Sequence, residues 1–259
     1  MTAIKHFFIG LHKVYEGIIV LKQEHKYWKY AKVSMMLNII FYIIIFYLLF
    51  HFLLPFFNSL FPTSANSYLS TMFSVIKWIL NFLIVVTTLF VSALLFNTIF
   101  FAITSPYLDG LSLLAERDIY GFIPSQGKGI KHAFHGYYMS VWNGIWLNFL
   151  TIFWVIVLFP LNFIIPVFGF LPGTLTGAYF LGMSFLIYSA EHRKLTRHQL
   201  KEKIAGKRMY ILGFGLTIYL ILMIPFAAAI LIPGGVLGAT MLYNEYFDES
   251  PEVKQKISE

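Results

Sequence analysis

The segment His25-Lys26-Tyr27-Trp28-Lys29-Tyr30-Ala31-Lys32 lies immediately before a long uncharged apolar run, and its residue types suit contact with an anion. A helix that starts there offers free backbone N–H groups and the positive end of its dipole, and the Lys26 and Lys29 ammonium groups add charge beside them. Lys26, Tyr27, Trp28 and Lys29 are therefore the candidate anion-binding residues. With no arginine among them they lack the planar fork that grips an oxyanion at two points. The same lysines equally suit a cationic flank resting on phospholipid headgroups. A second polar group, Glu191, His192 and Arg193, closes one apolar region, and Arg208 opens the next. Such a set is either a solvated interface cluster or an ion-pair gate at the mouth of a pathway. Asn38 stands inside an apolar segment, where its amide needs a partner across a helix interface or along a path.

Other chemistry is thinly represented. His51, and His132 with His135, have too few companion ligands for a metal site. Gly127-Lys128-Gly129 lacks the spacing of a phosphate-binding loop, and neither a Gly-x-Ser-x-Gly elbow nor a His-Glu-x-x-His motif occurs. Cysteine is absent, which excludes disulfides, a thiolate nucleophile and a thiolate metal site. Neither enzymatic activity nor a cofactor is expected.

The elements that must position these residues follow from composition. Of 259 residues, 58% are hydrophobic and 12% charged, against about 25% charged in ordinary soluble domains. The expected surroundings are lipid. The 28 Phe, 16 Tyr and 5 Trp suit apolar filling and headgroup-level anchoring. The net charge of +7 sits between apolar segments, where it sets membrane orientation more simply than it binds nucleic acid.

Along the chain, Ile4, Phe7, Phe8, Leu11, Val14, Tyr15, Ile18 and Ile19 recur at helical spacing opposite Lys5, His6, His12, Lys13 and Glu16. Residues 1–32 therefore form an amphipathic segment, lying either on headgroups or on the protein's own cytoplasmic face. No cleavable leader is expected, because lysines precede the first long apolar run. Residues 33–57 and 72–103 are expected transmembrane helices, with Lys77 near the start of the second reaching back to the headgroups. Residues 104–140 are mixed and belong to the interface or cytoplasm. The apolar regions 141–190 and 209–246 flank a basic cytoplasmic segment, 191–208, and a charged tail, 247–259, follows. The connector 58–71 carries neither lysine nor arginine, so the positive-inside rule places both termini in the cytoplasm and makes each later region a hairpin. Met209–Ile224 and Gly234–Tyr246 are short for full crossings at about 1.5 Å per residue, so partly penetrating helices are expected.

The hairpins share their punctuation. Pro160 and Pro225 interrupt apolar stretches, and Pro172-Gly173 with Gly177-Ala178 matches Pro233-Gly234 with Gly238-Ala239 as P-G-x-x-x-G-A. Glycines four apart, Gly173 with Gly177 and Gly234 with Gly238, make a face for close helix packing. Interrupted helices in corresponding positions are also the pattern of repeat-built transport sites.

The run Ile211-Leu212-Gly213-Phe214-Gly215, then Ile224-Pro225, Ile232-Pro233 and Gly238-Ala239-Thr240, resembles the carboxyl-terminal half of CysZ-type sulfate permeases. Ser105-Pro106 with Leu113-Leu114-Ala115-Glu116, and the amphipathic start leading to a span with Asn38, are similar to that family as well. The resemblance implies an all-α integral membrane protein. Its parts would be an amphipathic amino-terminal helix, two long transmembrane helices and two proline-broken, partly penetrating hairpins, assembled as a homo-oligomer in the bacterial inner membrane. It also implies sulfate uptake for cysteine synthesis without ATP hydrolysis, and an anion site in a Gly-Leu-Arg type motif before the first span. The matching positions here are Lys26, Tyr27, Trp28 and Lys29, where Lys29 keeps the cationic character while the glycine and first arginine are absent. The expectation is thus a permease or channel for sulfate or a related oxyanion. The rival expectation is a non-transporting scaffold that binds lipid or partner proteins.

Overall fold

The computed structural model of the chain describes residues 2–48, 51–52, 55, 104–122, 146, 149–150, 153, 166–222 and 224–248. All regular structure among the described residues is helical: α1 (Thr2–Gln23), a 3-10 turn (His25–Tyr27), α2 (Trp28–Leu48), α3 (helical residues 104–120), α4 (Pro166–His192), α5 (Arg197–Ile204), α6 (Arg208–Leu222) and α7 (Pro225–Tyr246). The expected span 72–103 with Lys77, the connector 58–71, Pro160, His132 and His135 lie outside the described residues. No single helix among the described residues is long and apolar enough to cross a membrane. The stretches His198–Ile204 and Arg208–Leu222 reach that measure only together, across a bend of 99°.

Local chemistry fixes the helix ends. Gly121, at φ 66°, stops α3 in the left-handed conformation that glycine adopts without strain, and the Phe122 N–H donates back to the Glu116 carbonyl at 3.2 Å. Thr196 and Gln199 form a reciprocal capping box that starts α5.

The prolines act differently from the sequence expectation. Pro225 opens α7 at its first turn, as its fixed φ favours, but Pro172 and Pro233 lie inside α4 and α7. The expected short arm Gly234–Tyr246 is therefore part of a 22-residue helix, about 33 Å long at about 1.5 Å per residue. Pro233 removes one backbone donor from the helix ladder, and tight packing of its neighbours Ile232 and Val236 in the core offsets the loss. Both P-G-x-x-x-G-A motifs thus lie within continuous helices.

The core forms where α1 packs on α6 and α7, while α4 packs on the same pair and α2 packs on α7. The buried face of α1 runs Gly10, Lys13, Val14, Gly17 and Leu21, one helical stripe. Backbones meet along it: a Cβ on Gly10 would strike the Tyr210 carbonyl, and one on Gly213 would strike the Phe7 carbonyl. Gly17 likewise faces Gly234 and Gly238, and Gly238 faces the Lys13 carbonyl. A second stripe on α1, Ile4, Phe8, Leu11 and Tyr15, stays exposed. The amphipathic segment therefore has two apolar faces, of which one is committed to the protein's own helices.

Candidate functional site

Two polar assemblies stand out, one at the start of α2 and one at the cytoplasmic end expected for α4. At the first, Glu24 is extended and its carbonyl accepts the Tyr27 N–H at 3.2 Å, while the Trp28 N–H donates to the His25 carbonyl. The 3-10 turn runs directly into α2, so the backbone donors of Tyr27 and Trp28 are engaged within the chain. The Tyr27 side chain is also not available at the surface, because its ring is part of the core at 1% exposure. The cations remain. Lys26 Nζ is 3.1 Å from Asp118 Oδ2 and 3.7 Å from Glu24 Oε2, and the hydrogen bond to Asp118 raises the ammonium above its ordinary pKa. Lys32 Nζ stands 5.9 Å from the Trp28 ring. Lys29 is exposed and has no ion pair among the described residues. What this segment offers an anion is ammonium charge from Lys29, with Lys26 shared with carboxylates.

The second assembly is buried. Glu116, 0% exposed, accepts hydrogen bonds from Arg193 Nη1 at 2.7 Å and Asn244 Nδ2 at 3.3 Å. Its other oxygen lies 2.8 Å from His192 Nδ1, and His192 Nε2 lies 2.9 Å from Asp109 Oδ1. Arg193 also donates from Nε to Asp248 at 2.6 Å, from Nη2 to Asn244 Oδ1 at 2.6 Å and from Nη1 to the Ser189 carbonyl at 2.9 Å. Its guanidinium lies 4.1 Å from the Phe122 ring centroid and 4.9 Å from that of Tyr243, within the range of cation–π attraction. Burial works against the charge on His192, but its bonds to Asp109 and Glu116 outweigh this and raise it to about 9. Burial likewise opposes the Glu116 carboxylate, and His192 with Arg193 more than reverse it, so its pKa is lowered. Above this cluster Ser112 and Thr240 share a hydrogen bond of 2.8 Å. To one side, Lys13 is clamped by Glu16 and Glu245, and Tyr120 donates to Glu245 at 3.0 Å.

The expected gate set is not one assembly. Arg193 is saturated inside the network, and Glu191 is not one of its partners. Arg208 is exposed at the start of α6 and forms no ion pair among the described residues. Asn38 lies on the buried face of α2 at 1% exposure, and neither its amide oxygen nor its nitrogen has a hydrogen-bond partner among the described residues. The glycines divide too. Gly234 and Gly238 sit in contacts with α1, a Cβ on Gly234 reaching Ile18 Cγ1 at 2.7 Å. Gly177 would meet only the Tyr219 ring at 3.6 Å, and at Gly173 nothing lies within 4 Å among the described residues. Among the described residues α4 meets α6 further along, at Gly182 and Gly215.

Sequence reasoning missed Glu116, Asp109, Asn244 and Asp248 as partners of Arg193 and His192. A signal for them exists. Asp109, Ser112, Glu116 and Tyr120 fall at helical spacing on one side of α3, and Thr240 and Asn244 do so near the end of α7, with Asp248 just beyond it. Polar stripes on faces that also bury leucines must meet each other.

Residues 14–233 match the family described as sulfate transporter CysZ/etoposide-induced protein 2.4. The chain belongs to this family. Among relatives called sulfate transporter CysZ, a Pseudomonas aeruginosa protein is 28% identical over 104 residues, 37% of this chain and 42% of that protein. One from Pseudomonas fluorescens is 29% identical over 105 residues, 39% of this chain and 41% of that protein. The chain thus spans about two fifths of the length of these curated relatives.

Proposed function

We propose that this chain is a multi-pass permease or channel that carries sulfate, or a closely related oxyanion, across a bacterial inner membrane for cysteine synthesis. The observation that carries the reading is the family match over residues 14–233, supported by relatives whose names state sulfate transport. Composition supports the lipid setting, and the basic stretch 191–208 with the lysine-rich start supports cytoplasmic termini. A homo-oligomer in contact with membrane lipids completes the proposal, the exposed stripe of Ile4, Phe8, Leu11 and Tyr15 being suited to either neighbour.

In this reading the anion is first met at the start of α2, where Lys29 supplies open positive charge and Lys26 a second ammonium. Trp28, half-buried, frames the site, and Tyr27 acts from the core by fixing the turn. Asn38 lies farther along the buried face of α2, about 14 Å from Lys29 at about 1.5 Å per residue. Its amide, with no hydrogen-bond partner among the described residues, supports a pathway role, since a buried amide without a partner is costly by about 1–3 kcal/mol. The Glu116–His192–Arg193 network holds α3, α4 and α7 around that path rather than lining it.

Radiolabelled sulfate uptake into liposomes carrying the purified protein tests the proposal. Uptake above that of empty liposomes, competed by unlabelled sulfate, is expected. Uptake equal to empty liposomes, with sulfite and phosphate equally inert, would leave the scaffold as the better account.

A further inference from the structure

The contact between Lys26 and Asp118 joins two elements far apart in sequence, and its two ends are unequally free. Asp118 sits in the last turn of α3, a helix pinned on its other face by Glu116 through Arg193 and His192. A second contact aligns α3 with the start of α2: the Tyr30 ring lies so close over Gly110 that a Cβ there would be 2.7 Å from Tyr30 Cε1. The carboxylate is therefore held by the fold, at 3.1 Å from Lys26 Nζ, while the lysine ends a flexible stem with its side chain 47% exposed. Glu24 adds a second, looser carboxylate at 3.7 Å. Lys29 and Lys32 make no ion pairs among the described residues, so the negative charge is directed at one cation of the three.

We propose that Asp118 is an internal competitor for the anion: its carboxylate occupies Lys26, and a tetrahedral dianion gains that ammonium only by displacing it. This rests on the reading of Lys26–Lys29 as the anion segment, and it names the residue that sets the affinity there. The dianion exchanges one carboxylate–ammonium contact for another and is repelled by the displaced carboxylate for as long as it remains nearby. Weak anions are held off, and a dianion binds less tightly than the lysines alone would allow. Partly exposed pairs are weak, so the competition is worth a few-fold in binding, and screening by salt shrinks the effect.

The test is sulfate titration of the full chain in lipid nanodiscs at low ionic strength, with melting temperature as the check on folding. Asp118→Asn, isosteric and neutral, should tighten sulfate binding by about three- to fivefold, and Asp118→Ser should do the same. Glu24→Gln removes the same charge from the looser contact and should have a smaller effect. In a Lys26→Ala background the gain from Asp118→Asn should disappear, because there is no ammonium left to release. Equal affinity in the parent and both folded Asp118 variants, with Lys29→Ala still weakening binding, overturns the competitor role and leaves the anion segment standing. Equal tightening by Glu24→Gln and Asp118→Asn, persisting without Lys26, also overturns it, since the effect is then only bulk charge. Sulfate binding to none of the proteins removes the anion segment and the competitor together.

Discussion

The start of α2 and the end of α4 are built from the same materials, lysine or arginine facing carboxylates, yet they stand in opposite environments. At Arg193 the donors end on Glu116, Asp248, Asn244 and a backbone carbonyl, with aromatic rings nearby and Glu116 wholly buried. At Lys29 the charge is in the open. A buried ion with every partner in place cannot exchange them for a solute without leaving a buried charge behind, whereas an exposed ammonium exchanges water for an anion readily. On the proposed reading, charge alone does not mark a binding site; unspent charge does.

The largest expected effect breaks the buried side of this contrast. Arg193→Met removes the guanidinium and strands Glu116, and should lower stability by about 3–5 kcal/mol, read as a large fall in melting temperature in detergent. A variant that melts like the parent would show that the network is not what holds α3, α4 and α7 together. Next is the backbone crossing. Gly238→Leu forces side-chain atoms into the Lys13 carbonyl and should destabilise by about 1–3 kcal/mol or more. Gly173→Leu, facing open space among the described residues, should be nearly silent in the same melting assay.

A smaller effect follows from His192. Its pKa is raised from the usual 6.5 to about 9 in the fold, so its contribution to stability is complete below about pH 6.5 and is lost as pH rises through about 9. Glu116 acts at the other end: its lowered pKa gives stability that is present above the ordinary carboxylate range and fades as pH falls through its folded value. Melting temperature should therefore fall between pH 6.5 and pH 9.5, and His192→Gln should flatten that slope. An unchanged slope in the variant would assign the pH dependence to another group.

The contrast also explains what the sequence could and could not convey. Helical content, the amphipathic character of α1 and the basic segment after α4 follow from periodicity and composition, which depend on neighbours along the chain. Which side of α1 packs does not, since Lys13, read on the polar side, lies on the buried stripe while Ile4, Phe8, Leu11 and Tyr15 stay exposed. The close approach at Gly238 was visible as a spacing of small residues, but its partner was not, because Gly17 and Lys13 lie on a helix more than two hundred residues earlier. The same limit hid Asp118 from Lys26. Prolines misled for a related reason. Pro233 removes a local hydrogen bond, but tertiary packing around Ile232 and Val236 carries the helix through it. Burial decided the candidate site as well: by type Tyr27 reads as an anion-binding residue and Arg193 as part of a gate, and only the fold puts the first in the core and the second inside a saturated network.

The measurement that bears most directly on the account is a paired sulfate titration and thermal melt of the parent and Lys29→Ala. The open-charge account predicts sulfate binding weakened several-fold at low salt with the melting temperature unchanged, since Lys29 is exposed and has no ion pair among the described residues. Superimposable titrations would contradict it, and the start of α2 would then be a headgroup flank rather than the place where the anion is met.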